Sequence, residues 1–406
     1  MPKSQIITGL DIGTNAIKIL VASKKTEESE FEVLSLTQEL SSGVRKGVVI
    51  GVEEVSNTLA ETLERIKKDT GRRIDSVYLN VNGSHIFSTS SHGTVAVSRA
   101  DQKISEEDID RVFQAARTFS LPSNKEIFDI LPKEFIVDGE QGIKEVLGLQ
   151  GVRLEADVLV LGGFSPYLKN LTQTVLNCDL QILDMVPSSI AAARAVLTPR
   201  QKELGVALVD IGAGTTGLAV FEEGNLIHLA ILPIGSANIT NDIAIGLKTD
   251  IDIAERIKLE YGTCSLKGND KKFISRKKEK IKVGEEAPLV FSQKQLINII
   301  EPRVSEIFDQ IYKELKKIGK EKLLPAGTVL TGGGAKLPKI VELAKKELKL
   351  PARIGKPQGV SNLDDPSLAT CCGLVLMGVD SGQTKIFEFG EGIGAKIKKI
   401  FKIFIP

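Results

Sequence analysis

Two strand–turn–strand stretches carry residues suited to hold phosphate. In the first, an apolar run at 6–10 leads into Asp11-Ile12-Gly13-Thr14-Asn15, and residues 16–20 resume the apolar pattern. Glycine has no Cβ, so the backbone N–H groups around Gly13 can approach an anion. Thr14 and Asn15 add donors, and Lys18 can reach back with a positive charge. Asp11, at the strand end, offers the hard oxygens that suit a hydrated magnesium ion. The second stretch repeats the design: residues 206–209 lead into Asp210-Ile211-Gly212-Ala213-Gly214-Thr215-Thr216, and 217–221 continue as a strand. Apolar β-type residues follow each turn, so neither is the helix-opening glycine loop of a Rossmann fold. No Gly-Lys-Ser/Thr follows either, which excludes a Walker loop. In a third stretch, residues 329–331 end in Gly332-Gly333-Gly334, with a helix expected to start near Pro338. A surface without side chains suits the face of a purine or an α-phosphate.

One such turn alone reads as an ordinary capped hairpin. Two of them, in separate halves of the chain, indicate an internal duplication, with a nucleotide's phosphates held between two facing hairpins. The rest of the composition fits a folded carrier for such a site. The chain has 406 residues, 42% hydrophobic and 26% charged, enough for two or three domains with sizeable cores. A net charge of +1 provides no global field toward nucleic acid. The N-terminus lacks the pattern of a signal peptide, and no run of 18 apolar residues suggests a membrane span. Cys178, Cys264, Cys371 and Cys372 form no C-x-x-C pair and read as small hydrophobes in a reducing compartment. His85, His92 and His228 are scattered, without metal-ligand spacing.

The three glycine turns, in this order and spacing, resemble those of the actin-like ATPase superfamily. Other segments narrow the resemblance to the bacterial cell division protein FtsA family. They are 45–49 (RKGVV), 127–139 (IFDILPKEFIVDG), 204–212 (LGVALVDIG), 240–247 (TNDIAIGL), 254–258 (AERIK) and 300–304 (IEPRV), within a likeness that runs from about residue 6 to 380. The resemblance implies an α/β fold: an actin-like, RNase-H-like duplicated core of two halves around a nucleotide cleft, with an inserted α+β subdomain and a C-terminal amphipathic helix. The first-half core is expected over 1–82, with 163–185 and about 356–380 returning to it. The family-specific subdomain falls at 83–162, reading β-rich, then helical from Ser105 to Phe119, then β-rich, with Ser105 and Asp108 as a helix start. The second-half core is expected over 186–235 and 329–355, and its outer subdomain over 236–328.

Carried over residue by residue, the resemblance implies ATP with Mg2+ as cofactors. Gly13, Thr14, Asn15 and Lys18 would form the first phosphate loop, and Gly212, Gly214, Thr215 and Thr216 the second. Asp11 and Asp210 would organise the metal and its waters. Glu255 and Lys258, one helical turn apart, would meet ribose and base, Gly332, Gly333 and Gly334 would underlie the adenosine, and Gly235 would lie at the cleft. Two departures stand out. Ala213 replaces the middle glycine of many relatives, where a left-handed backbone would be strained. Ser188 and Ser189 stand where some superfamily members carry Glu or Gln, so tight ATP binding with slow turnover at most is expected.

The chain's last residues give the cleft a setting. Wound as a helix, Ile393, Ile397, Ile400, Phe401, Phe404 and Ile405 share one arc, and Lys396, Lys398, Lys399 and Lys402 the opposite one. Such a helix lies on an anionic lipid surface rather than spanning it, behind a linker at 381–392. The basic stretch 271–282 has no aromatic platform and is followed by Glu285-Glu286, so it reads as a solvated loop rather than a nucleic-acid patch. The family resemblance adds partners: the C-terminal tail of the tubulin-like FtsZ, met near Lys294 and Arg303, other divisome proteins, and further copies of the chain in a filament. It places the protein at the cytoplasmic face of the inner membrane, at the septum. Two other readings stand beside it. One is a type IV pilus assembly protein of the PilM kind, disfavoured by the terminal helix. The other is a small-molecule kinase of the sugar-kinase type, for which no catalytic Asp and sugar pocket can be located.

Overall fold

The computed structural model describes residues 5–24, 30–118, 121–265, 278–281 and 289–380. Strands β1 (Gln5–Ile12), β2 (Ala16–Lys24) and β3 (Glu32–Leu40) form an antiparallel meander. A short hairpin, β4 (Val44–Arg45) and β5 (Val48–Val49), follows it. Next comes helix α1 (Val52–Thr70), which turns a stripe of Val55, Leu59 and Ile66 to the core and ends at Gly71 in the left-handed region. Strand β6 (Ser76–Val81) then lies parallel to β1.

The chain leaves this sheet for an inserted unit. Strand β7 (Phe87–Ala96), helix α2 (Glu106–Arg117) and strands β8 (Lys125–Val137), β9 (Glu140–Ile143) and β10 (Arg153–Phe164) build a sheet of order β7-β10-β8-β9. Its own core packs Val112 and Phe113 of α2 against Phe135, Val158 and Val160. Ser105 caps α2 as its sequence suggests: the Ser105 hydroxyl accepts from the Asp108 N–H, and the Asp108 carboxylate accepts from the Ser105 N–H. The helix ends at Arg117, and Phe119 lies outside the described residues. Helix α3 (Ser165–Leu176) leads back to β11 (Gln181–Pro187), which completes a sheet of order β11-β6-β1-β2-β3.

After α4 (Ser188–Val196) and α5 (Pro199–Leu204), the design repeats. Strands β12 (Val206–Ile211), β13 (Thr216–Glu222) and β14 (Asn225–Leu232) form the second meander. Helices α6 (Ser236–Leu247) and α7 (Ile251–Tyr261) follow, then the hairpin β15 (Lys278–Ile281) and β16 (Leu289–Ser292), then the long α8 (Gln293–Lys317). Strand β17 (Thr328–Thr331), helix α9 (Ile340–Leu348) and strand β18 (Ala352–Ile354) close the half, giving the order β14-β13-β12-β17-β18. Both meanders are antiparallel and both later strands parallel, so the two sheets match strand for strand. The helix expected near Pro338 begins at Ile340, because a 3-10 turn over Gly333–Lys336 comes first. The terminal helix at 393–406, the linker at 381–392 and most of the basic stretch lie outside the described residues.

One core serves both halves. The side chains of β12 alternate: Val206 and Leu208 join the core of the first sheet, while Ala207, Val209 and Ile211 join the core under α6 to α9. Between the sheets lie α4 and α10 (Ala369–Asp380). Ile190, Ala191, Ala192, Ala193, Ala195 and Val196 of α4 are all buried, as expected of a helix enclosed on every side. The two helices cross so closely that a Cβ on Gly373 would stand 1.7 Å from the Ala191 carbonyl oxygen, and a Cβ on Gly9 of β1 would stand 2.8 Å from that of Cys371. Gly373→Ala is therefore expected to pry α10 from α4 and lower stability by about 1–3 kcal/mol, the usual effect of overpacking. A urea-unfolding midpoint equal to the parent's would refute this tight crossing.

Candidate nucleotide site

Asp11 and Asp210 end equivalent strands, β1 and β12, and each is followed by the same turn. The Gly13 N–H donates to the Ala16 carbonyl at 3.0 Å, and the Gly212 N–H to the Thr215 carbonyl at 2.9 Å. A Cβ on either glycine would come within 2.9 or 3.1 Å of that same carbonyl, which explains the residue type. The glycine amides close the turns, and the amides of Thr14 and Asn15, and of Ala213 and Gly214, have no backbone partner among the described residues. Ala213 is accommodated, because neither it nor its glycine neighbours has a positive φ.

The two turns meet each other. A Cβ on Gly214 would lie 2.8 Å from the Thr14 hydroxyl oxygen, so only glycine permits the approach. Gly235 supports the second turn from behind. A Cβ there would strike the Ala213 and Gly212 carbonyls at 2.5 and 2.7 Å, and the first amides of α6, Ser236 and Ala237, each donate at 2.9 Å to Gly212 and Ala213. Thr216, expected to face a phosphate, is fully buried and donates its hydroxyl to the Ile234 carbonyl at 2.8 Å, fastening β13 to the end of β14.

The charges are arranged asymmetrically. Lys18 lies opposite Asp11 in the β1–β2 register, with its ammonium 3.3 Å from the Asp11 carboxylate and donating to the Ser367 carbonyl at 2.8 Å. Burial works against the ammonium, yet the Asp11 carboxylate, helped by that of Asp210, raises its pKa above the ordinary lysine value. In the second half the residue opposite Asp210 is Gly217, so no lysine faces Asp210 across the strand pair. The space is taken by Ser189 of α4, whose Cβ would be 3.0 Å from a Cβ on Gly217, and whose buried hydroxyl has no hydrogen-bond partner among the described residues. Burial first, and then repulsion from Asp11, push the Asp210 carboxyl up to about 6, against the pull of Lys18 and a hydrogen bond with Thr370.

Sequence reasoning missed the residue that orders the first turn. Asn80, buried on β6, accepts from the Ile12 N–H at 2.7 Å and donates to the Asp11 carboxylate at 2.8 Å. Its amide also lies 3.1 Å from the Ser188 hydroxyl. A polar residue in the run Ser76–Val81, otherwise largely apolar, was the available signal. Ser367 was missed too; it sits in a short 3-10 turn, Pro366–Leu368, which also receives the Gly332 N–H at the Pro366 carbonyl, 3.1 Å away.

The third glycine cluster divides by role. Gly332 has φ +82°, and a Cβ there would meet the Asp210 carboxylate at 2.4 Å; Gly334 packs on Ile211. Gly333 alone of the three has an open face, its nearest neighbour 4.0 Å from a built Cβ. Glu255 and Lys258 do share a face of α7. The Lys258 ammonium lies 2.7 Å from Glu255 and 2.8 Å from the Thr240 hydroxyl, and donates to the Ser236 carbonyl at 3.4 Å, next to the amide that holds Gly212. Lys294 is exposed at the start of α8, whereas Arg303 is gripped by Asp242 of α6 at 2.6 and 3.0 Å and also pairs with Glu306.

A hydrated divalent cation fits this chemistry. Two carboxylates from different strands lie in a buried place, and burial first, then repulsion between them, raises the pKa of Asp210, a penalty that a cation would relieve. Magnesium keeps several of its waters, so two protein oxygens can suffice. No cluster of three acidic, His or Cys ligands exists among the described residues.

Comparisons with known proteins agree in direction. The family described as cell division protein FtsA matches residues 207–373, and the one described as the SHS2 domain inserted in FtsA matches 83–161. The cell division protein FtsA of Pseudomonas aeruginosa is 37% identical, covering 92% of this chain and 89% of that one. The FtsA of Bacillus subtilis is 34% identical, with 98% and 88% covered, and that of Escherichia coli K12 30%, with 98% and 96% covered. Among solved structures, the PilM–PilN type IV pilus biogenesis complex is similar with a TM-score of 0.65 at 18% identity, covering 92% of this chain and 98% of that one. MreB5 of Spiroplasma citri bound to AMPPNP is similar with a TM-score of 0.55 at 13% identity, with 94% and 100% covered. At those identities the likeness is one of fold, and the fold is actin-like.

The elevated Asp210 carboxyl has a measurable consequence. Its pKa rises from 3.8 to about 6 on folding, so the folded state holds the proton more tightly and loses stability as pH climbs from about 4 to about 6. In metal-free, nucleotide-free protein, Asp210→Asn is expected to be more stable than the parent at pH 8, by on the order of 2 kcal/mol, and no more stable at pH 4. Calorimetric melts at the two pH values check this; an equal difference at both would refute it.

Proposed function

We propose that this chain, which belongs to the FtsA family of cell division proteins, binds ATP with Mg2+ between its two phosphate turns and serves as a membrane-tethered, self-assembling adaptor of the division machinery. The observation that carries the nucleotide reading is the pair of matched Asp-Ile-Gly turns brought face to face, with Lys18 as the ammonium between Asp11 and Asp210. The free amides of both turns would hold the phosphates, Asp11 and Asp210 the metal's waters, and Gly333 the adenosine. Bound magnesium would screen the phosphate charge and orient the phosphates. Asn80 holds the Asp11 carboxylate in place for it.

Hydrolysis is expected to be slow. At the start of α4, where some superfamily members carry Glu or Gln, stand Ser188 and Ser189, and neither hydroxyl is a base at neutral pH. Ser188 is engaged by Asn80. ATP therefore serves as a structural ligand that closes the two halves more than as a fuel turned over rapidly.

The adaptor role rests on family membership together with the sequence at 393–405. Its lysines would face an anionic lipid surface while its isoleucines and phenylalanines enter it. One such short helix binds weakly, and filament formation by the actin-like body would array many. The protein would then act at the cytoplasmic face of the inner membrane, at the septum. There the outer part of its second half would receive the tail of FtsZ, with exposed Lys294 a candidate contact. Arg303, already clamped by Asp242, would shape that surface more than reach out from it.

Two measurements test this. Asp210→Ala should weaken Mg2+-dependent ATP binding by about tenfold or more, a loss of some 1.4 kcal/mol read by isothermal titration; unchanged affinity removes the second turn from the site. The full chain should co-sediment with vesicles containing anionic lipid, and a version ending at Gly392 should remain in the supernatant. Equal sedimentation of both would sink the tether.

A further inference from the structure

We propose that the β4–β5 hairpin and Asn82 form a relay that carries the state of the phosphate turns to the hinge of the inserted sheet. The inference rests on the reading of the cleft as a nucleotide site, and goes beyond it by assigning the cleft a mechanical output.

The hairpin touches both turns. The Gly47 N–H donates to the Thr14 hydroxyl at 2.8 Å, and the Lys46 Cα lies 3.0 Å from where a Cβ on Gly214 would stand. Its tip is stiff: Lys46 and Gly47, the two central residues, have φ of 49° and 75°, the left-handed pair of a type I′ turn. Its base is clamped by the amides of Ile50 and Gly51, which both donate to the Gly43 carbonyl at 2.8 and 3.0 Å. The Thr14 hydroxyl accepts from Gly47 and retains one proton to give, so a phosphate oxygen at the first turn would fix a bond that the hairpin shares.

From the hairpin the path continues through packed groups. A Cβ on Gly47 would sit 3.0 Å from the Gly83 nitrogen and 3.2 Å from Asn82. The Asn82 amide donates to the Thr215 hydroxyl of the second turn at 3.2 Å, and its carboxamide oxygen accepts from the Gly83 N–H at 2.8 Å. The Asn82 carbonyl is 3.1 Å from His85 Nε2, while His85 Nδ1 accepts from the Phe164 N–H at 3.2 Å, so Nε2 carries the proton and donates. The ring also stands edge-on to Tyr167 at 5.2 Å. Residues 82–87 lead into the inserted sheet and residues 162–165 lead out of it, so His85 ties the two hinge strands together.

The inserted sheet is held at a second place. Ser88 donates to the Leu229 carbonyl of β14 at 2.9 Å, and Lys144 to the Glu223 carbonyl at 3.0 Å. A unit rooted in the first half and docked on the second cannot stay still when the turns change their separation: either the hinge rotates or the dock opens. Two discrete arrangements of one element, biased by a distant ligand, are what coupling between sites requires.

The experiment is amide hydrogen exchange, read by mass spectrometry on the full chain, with and without saturating ATP and Mg2+. ATP should slow exchange in peptides spanning 9–16 and 208–216. It should also change exchange by about threefold or more in peptides spanning 43–50, 82–87 and 162–167. In His85→Phe, which keeps a ring against Tyr167 but loses both hydrogen bonds, the two turns should still be protected while the response at 162–167 disappears. Asn82→Asp, isosteric but without the amide donor to Thr215, provides a second variant and should give the same loss. Protection of the turns with no change at 82–87 and 162–167 in the parent chain would overturn the relay and leave the nucleotide reading intact. A hinge response that persists in both variants would also overturn it. No protection at either turn would overturn the nucleotide reading and the relay together.

Discussion

The Lys18 ammonium pairs with the Asp11 carboxylate of its own half and is felt by the Asp210 carboxylate of the other. Two buried negative charges with one positive partner leave an unbalanced charge, and low-dielectric surroundings make the imbalance severe. Much of the neighbouring structure follows from that constraint. Asn80 points its amide at Asp11, Ser367 offers a carbonyl to Lys18, and Thr370 bonds to Asp210. That imbalance is what supports reading the place as one that a positively charged guest would relieve.

That asymmetry also separates the two halves of a duplicated fold. The sheets have the same strand order and directions, and the two turns close with the same hydrogen bond. They diverge opposite the aspartate, where Lys18 in one half corresponds to Gly217 in the other. The missing side chain lets Ser189 of a central helix pack against Gly217, its buried hydroxyl without a hydrogen-bond partner among the described residues. The repeated design thus gives both halves the same turn, while Lys18 is present in the first half and a glycine stands at its counterpart in the second.

The sequence made legible the features whose cause is local. Asp-Ile-Gly between apolar runs announces a strand, a tight turn and a strand, and its repetition announces the duplicated fold. Ser105 with Asp108 marks the start of α2 for the same reason. Features set by distant partners were not legible. Thr216 and Gly235 have the right types for phosphate contact, yet the first fastens β13 to β14 and the second makes room for α6 behind the loop. Gly13 and Gly212 keep their amides within the turns, which the residue types alone did not reveal. Asn80 carries no motif, and its importance arises only because β6 lies beside β1.

The core shared by the two halves also bears on how the chain is made. The first-half sheet packs on α10, near the far end of the described residues, with Gly9 of β1 against Cys371 of that helix. During synthesis the first half emerges hundreds of residues before the helix that seals it, so its apolar face must wait, exposed, until α10 leaves the ribosome. Ribosomal delivery of α10 closes both halves in a single late event. The residues at 393–405, proposed above to seek an anionic membrane, come after α10 in the chain, so they leave the ribosome no earlier than the helix that closes the body.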